Sequence, residues 1–288
     1  MSVPPLAPSH SGRGRWLVAI LFLLILLPVL RGVPSLLTDY LWFGEVGYRQ
    51  VFLTTLSTQV ALQLAFGGAF LVFFLGNVLL ALHRIRPNVS VLHELQAMLP
   101  AIERLYPRLR LIAVAGGLLL ALLVTQWAST QWLAWLRFQN AEAFSAADPV
   151  FARDLSFYVF VLPFVRAVAG FVQFTVFAAA VTSAAAYFLQ GQLWARPGFL
   201  SVSRQARRHL LLLVAAGLVT VAVQALLARY NLLSSTRGMV DGAGYTDLHA
   251  TLPALYIASA VSALAALAAA SEAFSRSLRL TLTSLAAV

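Results

Sequence analysis

Three side chains of this sequence could together bind a metal ion or transfer a proton. Asp247 and His249, with Asp241 nearby, could ligate a divalent metal ion or act as a general acid–base pair. A pair at positions i and i+2 matches no recognised set of metal ligands, so we favour a structural role in which these residues cap a helix and pair with arginines of the same region. The sequence therefore predicts no metal site, no cofactor and no catalytic residue.

Other motifs for catalysis or phosphate binding are missing from the sequence. There is no Cys, which excludes disulfides, thiolate metal sites and Cys nucleophiles. Neither a Walker A, an HExxH nor a GxSxG motif occurs. Gly242 and Gly244 follow no predicted strand and lack the third glycine of a dinucleotide-binding loop, so they do not predict a phosphate site.

The elements that must position these side chains are long apolar segments. The sequence is 60% hydrophobic and only 10% charged, with a mean hydropathy of +0.84, whereas a soluble domain is about 25% charged. That composition excludes both a water-soluble globule and a disordered chain. Because about 20 apolar residues span a bilayer, stretches without Asp, Glu, Arg or His predict six transmembrane helices. They cover about 16–37, 52–82, 111–136, 167–195, 210–228 and 250–271, where the first extends past Arg31 because an arginine side chain can reach the interface.

Two further segments complete the predicted architecture. Residues 1–15 form a tail before the first span, and the apolar residues 280–288 begin a seventh span that stops short, which suggests a truncated chain. Small residues at every fourth position predict close helix packing along Ala61–Ala69 and Ala258–Ala270. We therefore expect an all-α polytopic transmembrane helix bundle over residues 16–288.

The arginines give the predicted bundle its orientation. All 20 basic residues are Arg, and thirteen of them fall on the side of the N-terminus, where only three of the ten acidic residues lie. The net charge of +10 is thus confined to one side, and the positive-inside rule places that side and the N-terminal tail in the cytoplasm, with the chain in the inner membrane. A pI of 11.0 suggests nucleic-acid binding. Because the excess positive charge lies on one side of the predicted membrane, we interpret it as a sign of topology and expect no nucleic-acid partner.

A cytoplasmic segment between the second and third predicted spans has the pattern of a surface helix. Apolar residues recur at helical spacing over 91–105, and five arginines surround them between Arg84 and Arg110. This pattern predicts an amphipathic helix that binds anionic lipid of the bilayer, and docking of a cytoplasmic protein is the alternative.

The three predicted outer segments, 39–48, 148–164 and 229–250, combine aromatic, charged and turn-forming residues. Such a mixture favours an ordered cap over the outer end of the bundle. The polar residues of this cap form a candidate outer-face cluster. They are Asp39, Glu45, Asp148, Arg153, Asp154, Arg237, Asp241, Tyr245, Asp247 and His249.

The same segments contain three long motifs, Asp39–Tyr48 followed by Val51 and Phe52, Asp148–Phe164, and Arg237–Ala250 followed by Leu252–Leu255. Together they resemble the uncharacterised protein family 0182 of bacterial integral membrane proteins, and the resemblance covers roughly residues 15–285. It implies seven N-terminal spans followed by a large extracytoplasmic domain, which this chain would lack. It brings no catalytic residues, because no biochemical activity is established for that family.

The predicted function follows from where the ionisable residues lie. Ion-coupled transporters and proton pumps bury such side chains within their spans, and the interiors of the six predicted spans contain none, since Arg31 lies near the end of the first. We therefore expect a membrane domain without catalysis that anchors and positions an extracytoplasmic domain or an envelope protein. A transporter or channel for a neutral or lipid-like substrate, lined by glutamines, is the first alternative. An envelope-modifying enzyme that uses Asp241, Asp247 and His249 at the outer face is the second.

Overall fold

The computed structural model describes residue 23 and residues 32–83, 106–196, 199–235 and 242–275. Contacts between residues divide the chain into two compact units, Met1–Ser57 and Thr58–Val288. Most of the described residues belong to the second unit, which contains the longest helices.

The first unit contains a helical segment over residues 32–45 and the start of the next helix. Gly47, in the turn between them, has a φ of 80°, a backbone conformation that favours glycine. The Phe52 ring packs against Phe43 at 5.6 Å and Tyr40 at 6.1 Å, and the Arg49 guanidinium lies 4.9 Å from the Tyr40 ring. Aromatic contacts therefore hold the two helical segments of this unit together.

After the helical segment 32–45, the described residues contain six helices. They are α1 (Arg49–His83), α2 (Leu109–Thr130), α3 (Trp132–Gln139), α4 (Leu162–Leu189), α5 (Arg204–Ala228) and α6 (Leu252–Phe274). A 3₁₀ turn, Tyr106–Arg108, leads into α2, and a 3₁₀ segment, Arg229–Ser234, follows α5.

A π-helical turn precedes both α4 and α6, at Phe157–Val161 and Asp247–Thr251. In each case a Leu-Pro pair follows, with the proline at Pro163 or Pro253. Proline has no N–H to donate to the carbonyl four residues earlier and its ring crowds that carbonyl, so a widened turn at the helix start accommodates it.

Among the described residues, five helical segments are long and apolar enough to cross a membrane, which is the character of a multi-pass membrane protein. Most of the first predicted span, residues 16–37, lies outside the described residues, and so does the predicted start of a seventh at 280–288. The count of six full spans and a seventh therefore stays a prediction. The five segments are Arg49–Leu82, Leu109–Thr130, Phe157–Leu189, Arg204–Ser234 and Asp247–Phe274.

An aromatic core joins α1, α2 and α4. Phe66, Phe70 and Phe74 recur at four-residue spacing and are buried along one side of α1. The Phe66 ring packs edge-on against Trp127 of α2 at 5.6 Å and against Phe171 of α4 at 4.7 Å. The core of these helices is therefore built from large side chains.

Small side chains pack between α5 and α6. Ala266 of α6 is buried and packs with Ala215 and Leu218 of α5, so part of the predicted small-residue row of α6 packs as expected, whereas Ala258 at its start is exposed. The predicted small-residue row of α1, Ala61–Ala69, is not buried in the same way. Ala61 and Ala69 are exposed there, because the buried positions of α1 belong to the phenylalanine row one residue away.

Two details depart from the predicted pattern of uninterrupted helices. The segment 111–136, predicted as one span, is divided at Gln131, whose backbone (φ −85°, ψ 3°) leaves the helical region between α2 and α3. A short two-stranded antiparallel hairpin, β1 (Leu193–Arg196) and β2 (Phe199–Val202), connects α4 to α5 within a fold that is otherwise all-α over the described residues, as predicted.

The helices also extend beyond the charge-free stretches that define the predicted spans. Arg166 lies within the segment Phe157–Leu189, and His209 lies within Arg204–Ser234. A helix ends where its backbone hydrogen bonds end, and a single ionisable side chain does not interrupt them. Both residues lie one position before the predicted spans 167–195 and 210–228, so the absence of ionisable residues from the span interiors stays a prediction.

Candidate functional site

The second predicted outer segment is organised around the carboxylate of Asp148, a residue that is only 4% exposed. Its Oδ1 accepts hydrogen bonds from the backbone N–H groups of Val150 (2.9 Å) and Phe151 (2.6 Å). Its Oδ2 accepts hydrogen bonds from the Arg153 N–H (3.0 Å) and the Tyr158 hydroxyl (2.7 Å). Aspartate before a turn favours such bonds to the following backbone, and four donors occupy most of the carboxylate's acceptor positions.

Hydrogen bonds set the charge of two carboxylates in this loop. Burial alone would raise the pKa of Asp148, but hydrogen bonds, with the Phe151 N–H and the Tyr158 hydroxyl foremost, outweigh it and hold the pKa below its usual value. Hydrogen bonds from the Ser156 hydroxyl and N–H and from the Phe144 N–H lower the pKa of Asp154 to about 2. Both carboxylates are therefore ionised at neutral pH, which suits turn stabilisation and not proton donation.

The backbone of this loop is held in an unfavourable conformation. Ser145 and Ala152 have φ values of 55° and 52°, in the left-handed region that favours glycine. The Asp148 N–H donates to the Arg153 carbonyl (2.8 Å), and the Ala152 N–H donates to the Asp148 carbonyl (3.1 Å). The hydrogen bonds to Asp148, from both side chain and backbone, therefore stabilise a loop shape that the residues would not adopt alone.

Aromatic rings join this loop to the 3₁₀ segment after α5. Tyr230 is 6% exposed and packs edge-on against Phe151 at 5.2 Å, Phe157 at 5.1 Å and Tyr158 at 5.8 Å. Since Tyr158 also donates to Asp148, the carboxylate and the rings form one network. The structure thus brings the second and third predicted outer segments together.

Arg229 extends this network to α6. Its guanidinium donates to the hydroxyl groups of Tyr230 (2.7 Å) and Tyr256 (3.0 Å), and it lies 4.7 Å from the Tyr230 ring. Arg153 stacks in the same way over the Phe157 ring at 5.0 Å. Both arginines thus contact aromatic side chains, and Arg229 links the 3₁₀ segment after α5 to α6. We call the following residues the Asp148 cluster: Asp148, Phe151, Tyr158, Arg229, Tyr230 and Tyr256.

Asp247, His249 and Tyr245 lie at the start of the helical segment that contains α6. Asp247 is buried, and its Oδ2 accepts a hydrogen bond from the Gly244 N–H (3.2 Å). His249 Nδ1 donates to the Tyr245 carbonyl (3.0 Å), and the two rings stack at 4.0 Å. Both polar side chains bond to backbone groups near the helix start, and their predicted pairing with arginines stays a prediction.

The remaining predicted residues belong to the first unit or lie outside the described residues. Asp39 and Glu45 are exposed in the first unit. Arg237 and Asp241 lie outside the described residues, so the predicted trio with Asp247 and His249 is not complete in the structure. Across the described ranges, no three His, Asp or Glu side chains are grouped as metal ligands.

The predicted lipid-binding segment is described only at its end. Arg108 and Arg110 are exposed where the 3₁₀ turn meets α2, as lipid binding would require. The other arginines of that segment, and the predicted amphipathic helix, lie outside the described residues. Binding of anionic lipid by this segment stays a prediction.

A second polar network, which the sequence did not indicate, lies at the opposite end of the helices. The Tyr187 hydroxyl, fully buried on α4, donates to His209 Nδ1 on α5 (2.8 Å). His209 Nε2 donates to Asn77 Oδ1 on α1 (3.0 Å), and the Asn77 amide donates to the Phe73 carbonyl (2.7 Å), which fixes both the amide orientation and the histidine tautomer. This network joins three helices. The predicted span 210–228 begins one residue after His209, because the spans are predicted from stretches without ionisable residues.

The chain is similar in sequence to known proteins along most of its length. The sequence profile described as Uncharacterised protein family (UPF0182) matches residues 16–288. The chain is similar to UPF0182 proteins of Mycobacterium tuberculosis (36% identical over 280 residues), Geobacter sulfurreducens (30% over 278) and Pelobacter propionicus (30% over 258). These alignments cover 95%, 94% and 90% of this chain but 28%, 30% and 29% of the relatives, so the chain spans less than a third of their length. No solved structure matches the chain.

Proposed function

Since the chain belongs to the uncharacterised protein family UPF0182, we propose that it is a multi-pass inner-membrane domain that anchors and positions an extracytoplasmic domain or an envelope protein. The observation that supports positioning is the Asp148 cluster, which ties two loops to α4, α5 and α6 at one end of the helices. A loop surface held by a buried carboxylate and packed rings is preorganised, and preorganisation lowers the entropic cost of binding a partner.

The proposed orientation places the Asp148 cluster outside the cytoplasm. Its support is the arginine distribution, because the excess of basic residues falls on the side of the N-terminal tail. Reporter fusions test it: alkaline phosphatase fused after Glu142 should be active, and green fluorescent protein fused after Ser203 should fluoresce. The reverse pattern would refute the orientation and with it the outer position of the cluster.

The positioning role predicts a specific loss when the loop is loosened. In Asp148→Asn, the cluster loses the carboxylate that organises it, so copurification of an envelope protein with the chain from native membranes should fall several-fold. Glu142→Gln removes the same charge from an exposed position of the same loop and should leave copurification unchanged. Equal recovery from both variants would count against positioning by this surface.

A transporter or channel for a neutral or lipid-like substrate is the rival proposal. One observation favours it, because a cavity of about 610 Å³ lies between α2 and α4 and Gln131 contributes to its lining. Flux of a candidate substrate into vesicles that contain the purified chain distinguishes the two proposals. Uptake that exceeds empty vesicles would support transport over anchoring alone.

A further inference from the structure

The cavity between α2 and α4 has the polarity of a site for an amphiphile. Its α4 side includes Arg166, Phe171 and Phe174, and its α2 side includes Leu123, Trp127 and Gln131. Its volume of about 610 Å³ falls in the range of small-molecule sites, which are largely apolar with a few polar groups that fix orientation.

The polar groups of this cavity lie at one end. Gln131 and Arg166 are at the end that carries the Asp148 cluster, where α2 finishes and α4 begins. Leu123 lies eight residues earlier on α2, which corresponds to about 12 Å along the helix, and only apolar side chains line that deeper end. The cavity therefore changes from polar to apolar in the direction that leads from the end of the helices to their middle.

Aromatic side chains form the wall between these two ends. The rings of Trp127 and Phe171 stack with a centroid distance of 6.2 Å and an interplanar angle of 9°. Phe66 of α1 packs edge-on against both rings from behind, at 5.6 Å and 4.7 Å. This support fixes the wall, so the cavity does not depend on the closing of a loop.

Arg166 is the charged group of the cavity. Its Nη2 donates to the Leu227 carbonyl at the end of α5 (3.2 Å), which holds the guanidinium in place. Arginine has five N–H donors in a planar fork that suits a carboxylate or a phosphate, and the bond to Leu227 engages one nitrogen. An ionisable residue within a membrane-spanning segment is costly, so it indicates a functional role.

We propose that this cavity binds an anionic amphiphile, with the acyl chain between α2 and α4 and the carboxylate or phosphate head group at Arg166. A fatty acid and a phospholipid share this chemistry. In the orientation proposed above, the head group would lie in the outer half of the bilayer. The binding itself does not depend on whether the domain anchors a partner or transports a substrate.

Photocrosslinking of the purified 288-residue chain in detergent tests this proposal. Three probes carry a diazirine on the acyl chain: a fatty acid, a phosphatidylglycerol and a phosphatidylcholine. We expect the anionic probes to label peptides from residues 118–136 and 163–174, and phosphatidylcholine to label them much less. The relative labelling by the fatty acid and by phosphatidylglycerol identifies which of the two sources fits better.

Two variants and one control make the test specific. Arg166→Gln should reduce labelling by the anionic probes about tenfold, as loss of a charge-assisted hydrogen bond requires. Ala167→Phe fills the cavity without a change of charge and should reduce labelling by all probes. Arg137→Gln removes the same charge from an exposed position on α3 and should have no effect.

Three results would overturn the proposal. They are equal labelling by phosphatidylcholine and phosphatidylglycerol, labelling that is insensitive to both Arg166→Gln and Ala167→Phe, and an equal reduction in Arg137→Gln. Ala167→Phe keeps the proposal testable if Arg166→Gln does not fold.

Discussion

Replacement of Asp148 by asparagine is the sharpest test of the network that holds the two loops. Asparagine keeps one oxygen, which can still accept from Val150 and Phe151. Its amide nitrogen replaces Oδ2 and faces two donors, the Arg153 N–H and the Tyr158 hydroxyl. The hydroxyl can rotate and accept a hydrogen bond, but the backbone N–H cannot, so one donor loses its partner.

The expected loss follows from this geometry. A hydrogen bond to a charged group contributes about 1.5–3 kcal/mol, and a buried donor without a partner costs about 1–3 kcal/mol. Solvent near the loop screens part of the charge, so we expect Asp148→Asn to lower the free energy of unfolding by about 2 kcal/mol. The control Glu142→Gln, at an exposed position of the same loop, should change it by less than about 0.5 kcal/mol.

The free energy of unfolding of both variants is measured in mixed micelles, where titration with dodecyl sulfate unfolds the protein. A double-mutant cycle with Tyr158→Phe then isolates the hydroxyl–carboxylate bond, and we expect a coupling energy of about 1 kcal/mol. If Asp148→Asn lies within about 0.5 kcal/mol of the parent chain, or if Glu142→Gln is equally destabilised, the carboxylate does not organise the loop.

Three further perturbations address the other groups. Because the pKa of Asp154 lies near 2, below its ordinary value of 3.8, the stability that the ionised carboxylate contributes above about pH 4 should be lost as the pH falls towards 2. The free energy of unfolding of Asp154→Asn should therefore depend less steeply on pH in this acid range. An unchanged pH dependence would contradict this. Arg229→Gln removes two hydrogen bonds to tyrosine hydroxyls and a ring contact, so unfolding should become easier by about 1–3 kcal/mol, with the exposed Arg137→Gln as its control. His209→Phe keeps a ring but removes both hydrogen bonds of the second network, and a loss of about 1–3 kcal/mol in the same assay is expected; no loss would mean that the network contributes no stability.

Apolar stretches predict where helices lie better than where they end. The sequence predicts a span over 167–195, whereas the helical segment of the structure runs over Phe157–Leu189. The prediction begins one residue after Arg166, because it treats an ionisable residue as a boundary. The apolar pattern does not predict the division at Gln131. A local change of backbone angles separates two helices there, and the run of apolar residues continues across it.

The composition of the outer segments predicts an ordered loop region without showing which side chain organises it. Asp148 and Asp247 both lie in predicted outer segments, and only geometry shows that Asp148 accepts four hydrogen bonds. The Asp148-Pro149 pair was the available signal, because it is typical of a turn that the aspartate side chain stabilises. Tyr158 and Tyr230 gave no signal of their own, since their contact joins residues 72 positions apart in the chain.

The position of Arg166 changes the basis of the functional argument. The sequence favoured anchoring over transport because charge-free spans offer no partner for an ion, but a search for charge-free stretches ends each span at the first ionisable residue. It therefore cannot find an arginine such as Arg166, which lies within a helical segment and lines a cavity. The proposal of anchoring now rests on the Asp148 cluster, and the proposal of ligand binding rests on Arg166. Asp148→Asn and Arg166→Gln consequently test separate properties, and each variant should leave the other property intact.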